Sequence, residues 1–261
     1  MRFDMHCHTS EGSIDSKVSV RQFADRFSAL GYEGFMIADH NSYKGCKAWD
    51  RIKHESQYRN ITVIRGIEYD TKDAGHVLII MPDDLYLGIF RIRGMCLKKT
   101  IKLVHRFGGV IGLAHPYGAS GSSAMNFKLM DTKLIKKLDF IETFNTCEFP
   151  SSNRKAKALA YKYGLPGIAG SDSHITDYIG MACTFIEGDI RCNNDIINAI
   201  RSAITDRSAV TAIGIEREET KKARRKEHWL GVLGYKIYNR GIGKLICPYR
   251  KYRHHKLQKA Y

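Results

Sequence analysis

The chain has 261 residues, is 43% apolar and carries a formal charge of +15. That length suffices for one large α/β domain or barrel with its own core. No apolar run approaches the ~18 residues of a membrane span, and the opening "MRFDMHCH" lacks an apolar signal core, so a cytoplasmic protein is expected. Seven cysteines (Cys7, Cys46, Cys96, Cys147, Cys183, Cys192 and Cys247) are scattered without a C-x-x-C pair, which favours reduced thiols over a disulfide framework or a zinc finger.

In chain order, "RFDMHCH" reads as a first strand. Side chains alternate along a strand, so His6 and His8 share one face and Cys7 takes the other. Two imidazoles a few Å apart can share a metal ion, although a His-x-His pair is also common as exposed polar residues. A helix follows over "VSVRQFADRFSALGY", where Val18, Phe23, Phe27 and Leu30 recur at near-helical spacing and Gly31 stops it. Between these lies "SEGSID", whose Gly12 is expected to permit a tight bend. Further strands are predicted at "GFMIADH", "TVIRGIEYD", "HVLIIM", "GVIGLAHP", "DFIETFN", "GIAGSDS" and "ACTFIEG", with helices over "MCLKKTIKLVHRFGG" and "NRKAKALAYKYGLP". Asn153 is the expected N-cap of the last helix, and Gly164 and Pro166 its stop. "GASGSSAMN" reads as a mobile loop over one end of the sheet. Strands that are continuously apolar and alternate with helices imply a parallel sheet covered by helices, either a barrel or an open sheet.

Metal-type residues gather where these strands end. His6 and His8 close the first, Asp39 and His40 the second, and Glu68 lies near the end of the third. His76 opens the fourth, His115 ends the fifth, Glu142 lies in the sixth, and Asp172 and His174 end the seventh. Sites of α/β barrels and sheets form at the carboxyl ends of strands, so these residues converge although distant in sequence. Singly, each has another reading. His76 and His115 could be satisfied core histidines, Asp39 and Asp172 could cap helices, and Glu142 could be a buried supporting group. His54 and His105 fall in helical patterns and are assigned to solvent or packing.

The motifs "DMHCHTSEGSID", "IADHNS", "GIE", "GHVLII", "GLAHP", "FIETFN" and "GSDSH", in this order over residues 1 to about 215, resemble the PHP (polymerase and histidinol phosphatase) family. The resemblance implies a distorted seven-stranded (β/α)7 barrel with a two- or three-metal centre at its carboxyl end, hydrolysing phosphate esters. It implies that His6, His8, Glu68 and Asp172 hold one metal. Glu68 would bridge to a second, held also by His76 and His115. Asp15, His40 and His174 would hold a third. Asp39, Glu142 and Asn145 would support these ligands or touch substrate. Mixed imidazole and carboxylate donors suit manganese or zinc, with iron an alternative, better than magnesium or calcium. Such ions bind phosphoryl oxygens and bring bound water towards hydroxide at neutral pH, so a separate protein base is not required.

Beyond the metals, Arg154, Lys17 and Tyr117 are candidate phosphate contacts. The phosphorylated substrate is a nucleotide or oligonucleotide on the charge argument, or a histidinol-phosphate-type metabolite. Residues 216–261 form a basic extension with 14 Lys and Arg against 4 Glu, interleaved with Trp229, Tyr235, Tyr238, Tyr249 and Tyr252. Such composition suits nucleic acid, with a membrane surface or a merely solvated face as the other readings, and it leaves open a binding module for which the barrel is a scaffold.

Overall fold

In the computed structural model, residues 1–118, 122–126, 130–206 and 209–216 are described. The extension beyond 216 and positions 119–121 of the expected mobile loop lie outside them. The strands are β1 Arg2–Cys7, β2 Gly34–Ile37, β3 Thr62–Asp70, β4 His76–Ile80, β5 Val110–Leu113, β6 Phe140–Asn145, β7 Gly167–Gly170, β8 Ala182–Ile186 and β9 Val210–Gly214. The helices are α1 Val20–Ala29, α2 Lys44–Ile52, α3 Leu97–Arg106, α4 Pro150–Tyr163 and α5 Asn193–Ser202.

All nine strands form one mixed sheet, ordered β7-β6-β5-β4-β3-β2-β1-β8-β9. This corrects the expected seven-stranded (β/α)7 arrangement. The cause lies in the connections. Thr71 and Gly75 close a tight turn, with the Gly75 carbonyl accepting from both the amide and the hydroxyl of Thr71, so β4 returns antiparallel to β3 without a helix. β5 is antiparallel to β4, and β8 and β9 add an antiparallel pair beside β1.

The sheet nonetheless curls into a nearly closed barrel. Phe3, Met5, Met36, Ile64, Leu78, Ile80, Val110, Phe140, Ile168, Ile186 and Val210, drawn from every strand, belong to one buried apolar cluster. β7, at one end of the strand order, also lies against β1, β8 and β9, which brings the sheet round on itself. Alternate residues, among them Phe35, Ile37, Val77, Ile79, Ile111 and Ile141, join α1, α2 and α3 in a second cluster. Both faces are covered, which is why the strands read as continuously apolar.

Local signals explain the helices. Ser19 caps α1 with a reciprocal Ser19–Gln22 capping box. Gly164 ends α4 in the left-handed conformation at φ +69°. Asn153 is not the cap of α4, because Pro150 already occupies the first turn after Phe149. Among the described residues no helix is long and apolar enough to cross a membrane.

Candidate metal centre

The interior-facing register of each strand runs from the apolar cluster into a polar end layer. On β3, Ile64 faces the cluster and Glu68, two periods on, faces the same way at the rim. His76 opens β4 opposite Asp70, its antiparallel partner, so its amino-terminal position lies at the same rim as the carboxyl end of β3. Glu142 stands two residues after Phe140 on β6. His40, His115, Asp172 and His174 lie just past the strands that precede them.

Glu68 is fully buried at the centre. Its Oε1 lies 2.8 Å from His76 Nδ1 and 2.8 Å from His115 Nε2. Its Oε2 lies 2.8 Å from His40 Nδ1, 3.4 Å from His8 Nε2 and 3.7 Å from His6 Nε2, yet has no aligned hydrogen-bond donor. The Nε2 atoms of His6 and His8 stand 3.0 Å apart, and Asp172 Oδ1 is 3.1 Å from His8 Nε2. Asp15 Oδ2 reaches His40 Nε2 at 3.5 Å and His174 Nε2 at 3.4 Å. All nine residues expected as ligands therefore meet in one pocket.

Their supports are also visible. Glu142 Oε1 is 2.9 Å from His6 Nδ1, while its Oε2 accepts from the His115 amide at 2.6 Å and from Asn145 Nδ2 at 3.2 Å. Asn145 Nδ2 also reaches Asp172 Oδ2 at 3.2 Å. Asp39 touches none of the imidazoles. It accepts from the Thr9 amide at 2.6 Å, from Gly45 N near the start of α2 at 3.1 Å and from Ser13 Oγ at 3.2 Å, and Ser13 Oγ is itself 3.2 Å from His8 Nδ1. Gly12 is required by close approach rather than by a bend, since a Cβ there would fall 1.8 Å from Asp39 Oδ2.

The charges are mutually dependent. Burial, the largest influence on Glu68, pushes its carboxyl up, but His76, His40 and His6 outweigh it and hold it well below the carboxylate range. Burial likewise pushes Asp172 up, and His6 and His8 overcome it. His6 is disfavoured as a cation by burial and then raised well above its usual value by Glu142, Asp172 and Glu68. His8 is lowered to about 3 by burial and by its neighbours His174 and His40, which leaves it a neutral imidazole able to donate a lone pair. Among the described residues four triads of donor atoms lie mutually within 4.8 Å: His6–His8–Glu68, Glu68–His76–His115, His8–His40–His174 and His40–Asp70–His76. Crowded imidazole nitrogens, buried carboxylates and a Glu68 Oε2 without an aligned donor form a donor set that suits divalent cations.

Of the expected phosphate contacts, Lys17 and Arg154 are exposed and Tyr117 is half-buried. The Lys17 amide donates to the His174 carbonyl at 2.9 Å, which places it beside the pocket, and the Tyr117 carbonyl accepts from Ser152 Oγ in the first turn of α4. Arg154 lies on the exposed side of that same turn. Sequence reasoning missed Asp70. It is buried, its Oδ1 is 2.8 Å from His76 Nε2, and its Oδ2 is 2.8 Å from Arg93 Nη2. The available signal was its position two residues after Glu68, on the same face of β3.

Residues 150–205, from α4 to just beyond α5, match the model of a family described as PHP-associated. The fold is shared with PsfC from Pseudomonas syringae at 14% identity and a TM-score of 0.61, covering 92% of this chain and 98% of that one. It is shared with a two-domain Bacteroides vulgatus protein containing a predicted PHP-like metal-dependent phosphoesterase, at 20% identity and TM-score 0.59, covering 82% of this chain and 64% of that one. It is shared also with a lesion-specific endonuclease from Pyrococcus furiosus, PfuEndoQ, at 16% identity and TM-score 0.59, covering 81% of this chain and 58% of that one. The matches thus span less than two thirds of the last two proteins. Comparison with curated proteins finds no significant match. These comparisons show a shared fold, and the PHP-associated model matches residues 150–205 alone.

Proposed function

We propose that the protein is a metal-dependent phosphoesterase. The observation that carries the reading is Glu68: a fully buried carboxylate with five imidazoles from four strands around it and one oxygen lacking an aligned donor. His6, His8, Glu68 and Asp172 would hold one divalent cation, Glu68, His76 and His115 a second, and Asp15, His40 and His174 a third, with manganese or zinc the best matches to the donors. When bound, such cations neutralise phosphoryl oxygens and acidify water.

The chain's own groups do the rest. Glu142 and Asn145 fix the His6 ring and the Asp172 carboxylate, so the two are oriented before substrate arrives. Ser13, held by Asp39, does the same for His8. Lys17 and Tyr117 stand at the rim, where a phosphate or its leaving group would enter.

A nucleotide or oligonucleotide substrate is favoured within this reading by the charge of +15 and by the fold shared with a lesion-specific endonuclease. The test uses metal-free protein reconstituted with Mn²⁺ or Zn²⁺ and assayed on p-nitrophenyl phosphate, a 5′-mononucleotide and a short single-stranded oligonucleotide. Metal-dependent release of nitrophenol or phosphate is expected, and it should fall at least 10²-fold in His8→Ala. Activity indifferent to both metal and His8→Ala would overturn the proposal.

A further inference from the structure

We infer that Asp70 is a positioning residue for His76, locked in turn by Arg93. The inference rests on the metal-centre reading and adds a residue to it. His76 has two ring nitrogens with different neighbours. Nδ1 faces Glu68 Oε1 at 2.8 Å, inside the triad completed by His115. Nε2 faces Asp70 Oδ1 at 2.8 Å. Asp70 is 6% exposed, and among the described residues that oxygen has no aligned donor.

Two roles fit a buried carboxylate at this place. Asp70 could ligate a further cation with His40 and His76, or it could accept a hydrogen bond from His76. Ligating a further cation while Nδ1 binds the Glu68 cation would require one imidazole to bridge two metals and lose both ring protons. Accepting a hydrogen bond requires only the neutral ring, with Nε2–H towards Asp70 and the lone pair of Nδ1 towards Glu68. A carboxylate behind a metal-binding imidazole does this generally, fixing tautomer and orientation.

Asp70 is itself held. Arg93 Nη2 pairs with its Oδ2 at 2.8 Å, the Asp70 amide donates to Asn41 Oδ1 at 3.0 Å, and the Asp70 carbonyl accepts from Gly94 N at 2.9 Å. The guanidinium turns the carboxylate so that Oδ1, not Oδ2, meets the ring. Glu142 stands in the same relation to His6, so each of two strands supplies a carboxylate behind an imidazole.

The test measures Mn²⁺ and Co²⁺ binding by the full chain, by calorimetry and elemental analysis, for the native protein, Asp70→Asn and Arg93→Met. Melting curves identify any variant that fails to fold. Asp70→Asn preserves size and leaves Arg93→Met as the independent check. The expected result is unchanged stoichiometry with one equivalent bound 10- to 100-fold more weakly in Asp70→Asn. The visible spectrum of the Co²⁺ form should change with it, and Arg93→Met should show a smaller loss. Loss of a whole equivalent overturns the proposal by making Asp70 a ligand, and unchanged affinity overturns it by leaving Asp70 no role at His76. If the native protein takes up no metal at all, the parent reading falls first and this one with it.

Discussion

His115 and Asp172 hold left-handed backbone conformations at φ +26° and +53°, where residues other than glycine are strained by about 1–3 kcal/mol each. Both have side chains turned into the pocket, so the strain coincides with the chemistry. Glu68 stands between them and is the residue whose loss should be felt most widely. Glu68→Gln puts an amide NH₂ against imidazole nitrogens and removes the charge that balances His76, His40 and His6. The expected outcome is unchanged far-ultraviolet circular dichroism, loss of most bound metal by elemental analysis and at least a 10²-fold fall in kcat. Retained metal content would show that the carboxylate is not central. Gly12 works by absence of a side chain. Gly12→Ala drives a methyl into Asp39, which holds Ser13 behind His8, so it should lower stability by about 1–3 kcal/mol in denaturant unfolding and weaken metal binding as well.

At the scale of elements, α4 shows what the sequence displays and what it hides. Its apolar positions and its Gly164 stop are legible, but Asn153 looks like a cap and is something else. Its side chain sits buried in the first turns, where Oδ1 accepts from the Asn145 amide at 3.0 Å and Nδ2 donates to the Asn145 carbonyl at 3.1 Å. It staples α4 to the end of β6, next to Glu142, a long-range pairing that no local pattern encodes. Asn153→Ala leaves two buried backbone groups unpaired and should cost about 1–3 kcal/mol for each in thermal or urea unfolding. The strand ends were legible for a different reason: ligand-type residues recur at the close of apolar runs, and that pattern survives ignorance of the topology. The antiparallel return of β4 was not legible, because it depends on the Thr71–Gly75 turn. Asp70 was missed because its partners, His76 and Arg93, come from the far side of that turn. α2 adds an electrostatic tie. Asp50 meets Arg65 Nη2 on β3 at 2.8 Å, Lys53 Nζ at 3.2 Å and Tyr86 OH at 3.1 Å. Burial is the largest influence and raises its carboxyl, but Arg65, Lys53 and Tyr86 together outweigh burial and depress it below the usual value. A depressed acid stabilises the fold above its unfolded pKa and loses that contribution as pH falls through its folded pKa. Asp50→Asn should therefore cost about 0.5–1 kcal/mol at pH 7 and nothing once pH lies below the folded value, as read from urea midpoints across pH.

The whole molecule is a sheet that almost closes, and the site lies on the seam. β7 and β1 are joined not by a regular ladder but by one bridge, Cys7 to Ser173, and a few bonds around it. The Asp172 amide donates to the His6 carbonyl at 2.8 Å, the His8 amide to the Ser173 carbonyl at 3.2 Å, and the Ser171 amide to Asp4 Oδ1 at 2.9 Å. His6 and His8 belong to one side of this seam and Asp172 to the other, so a cation shared by them would tie β1 to the end of β7. Binding to the folded state alone stabilises by RT ln(1 + [L]/Kd), about 2.7 kcal/mol at a hundredfold excess over Kd, which for a chain of this size raises Tm by roughly 5–10 °C. Removing metal with a chelator should reverse that shift. It should also speed hydrogen exchange first at the amides of His8, Ser171 and Asp172, while those of β3 and β4, paired on both sides, stay protected. Exchange that rises evenly over all strands, or a Tm indifferent to the chelator, would mean that the seam closes without metal and that the centre contributes nothing to holding the barrel.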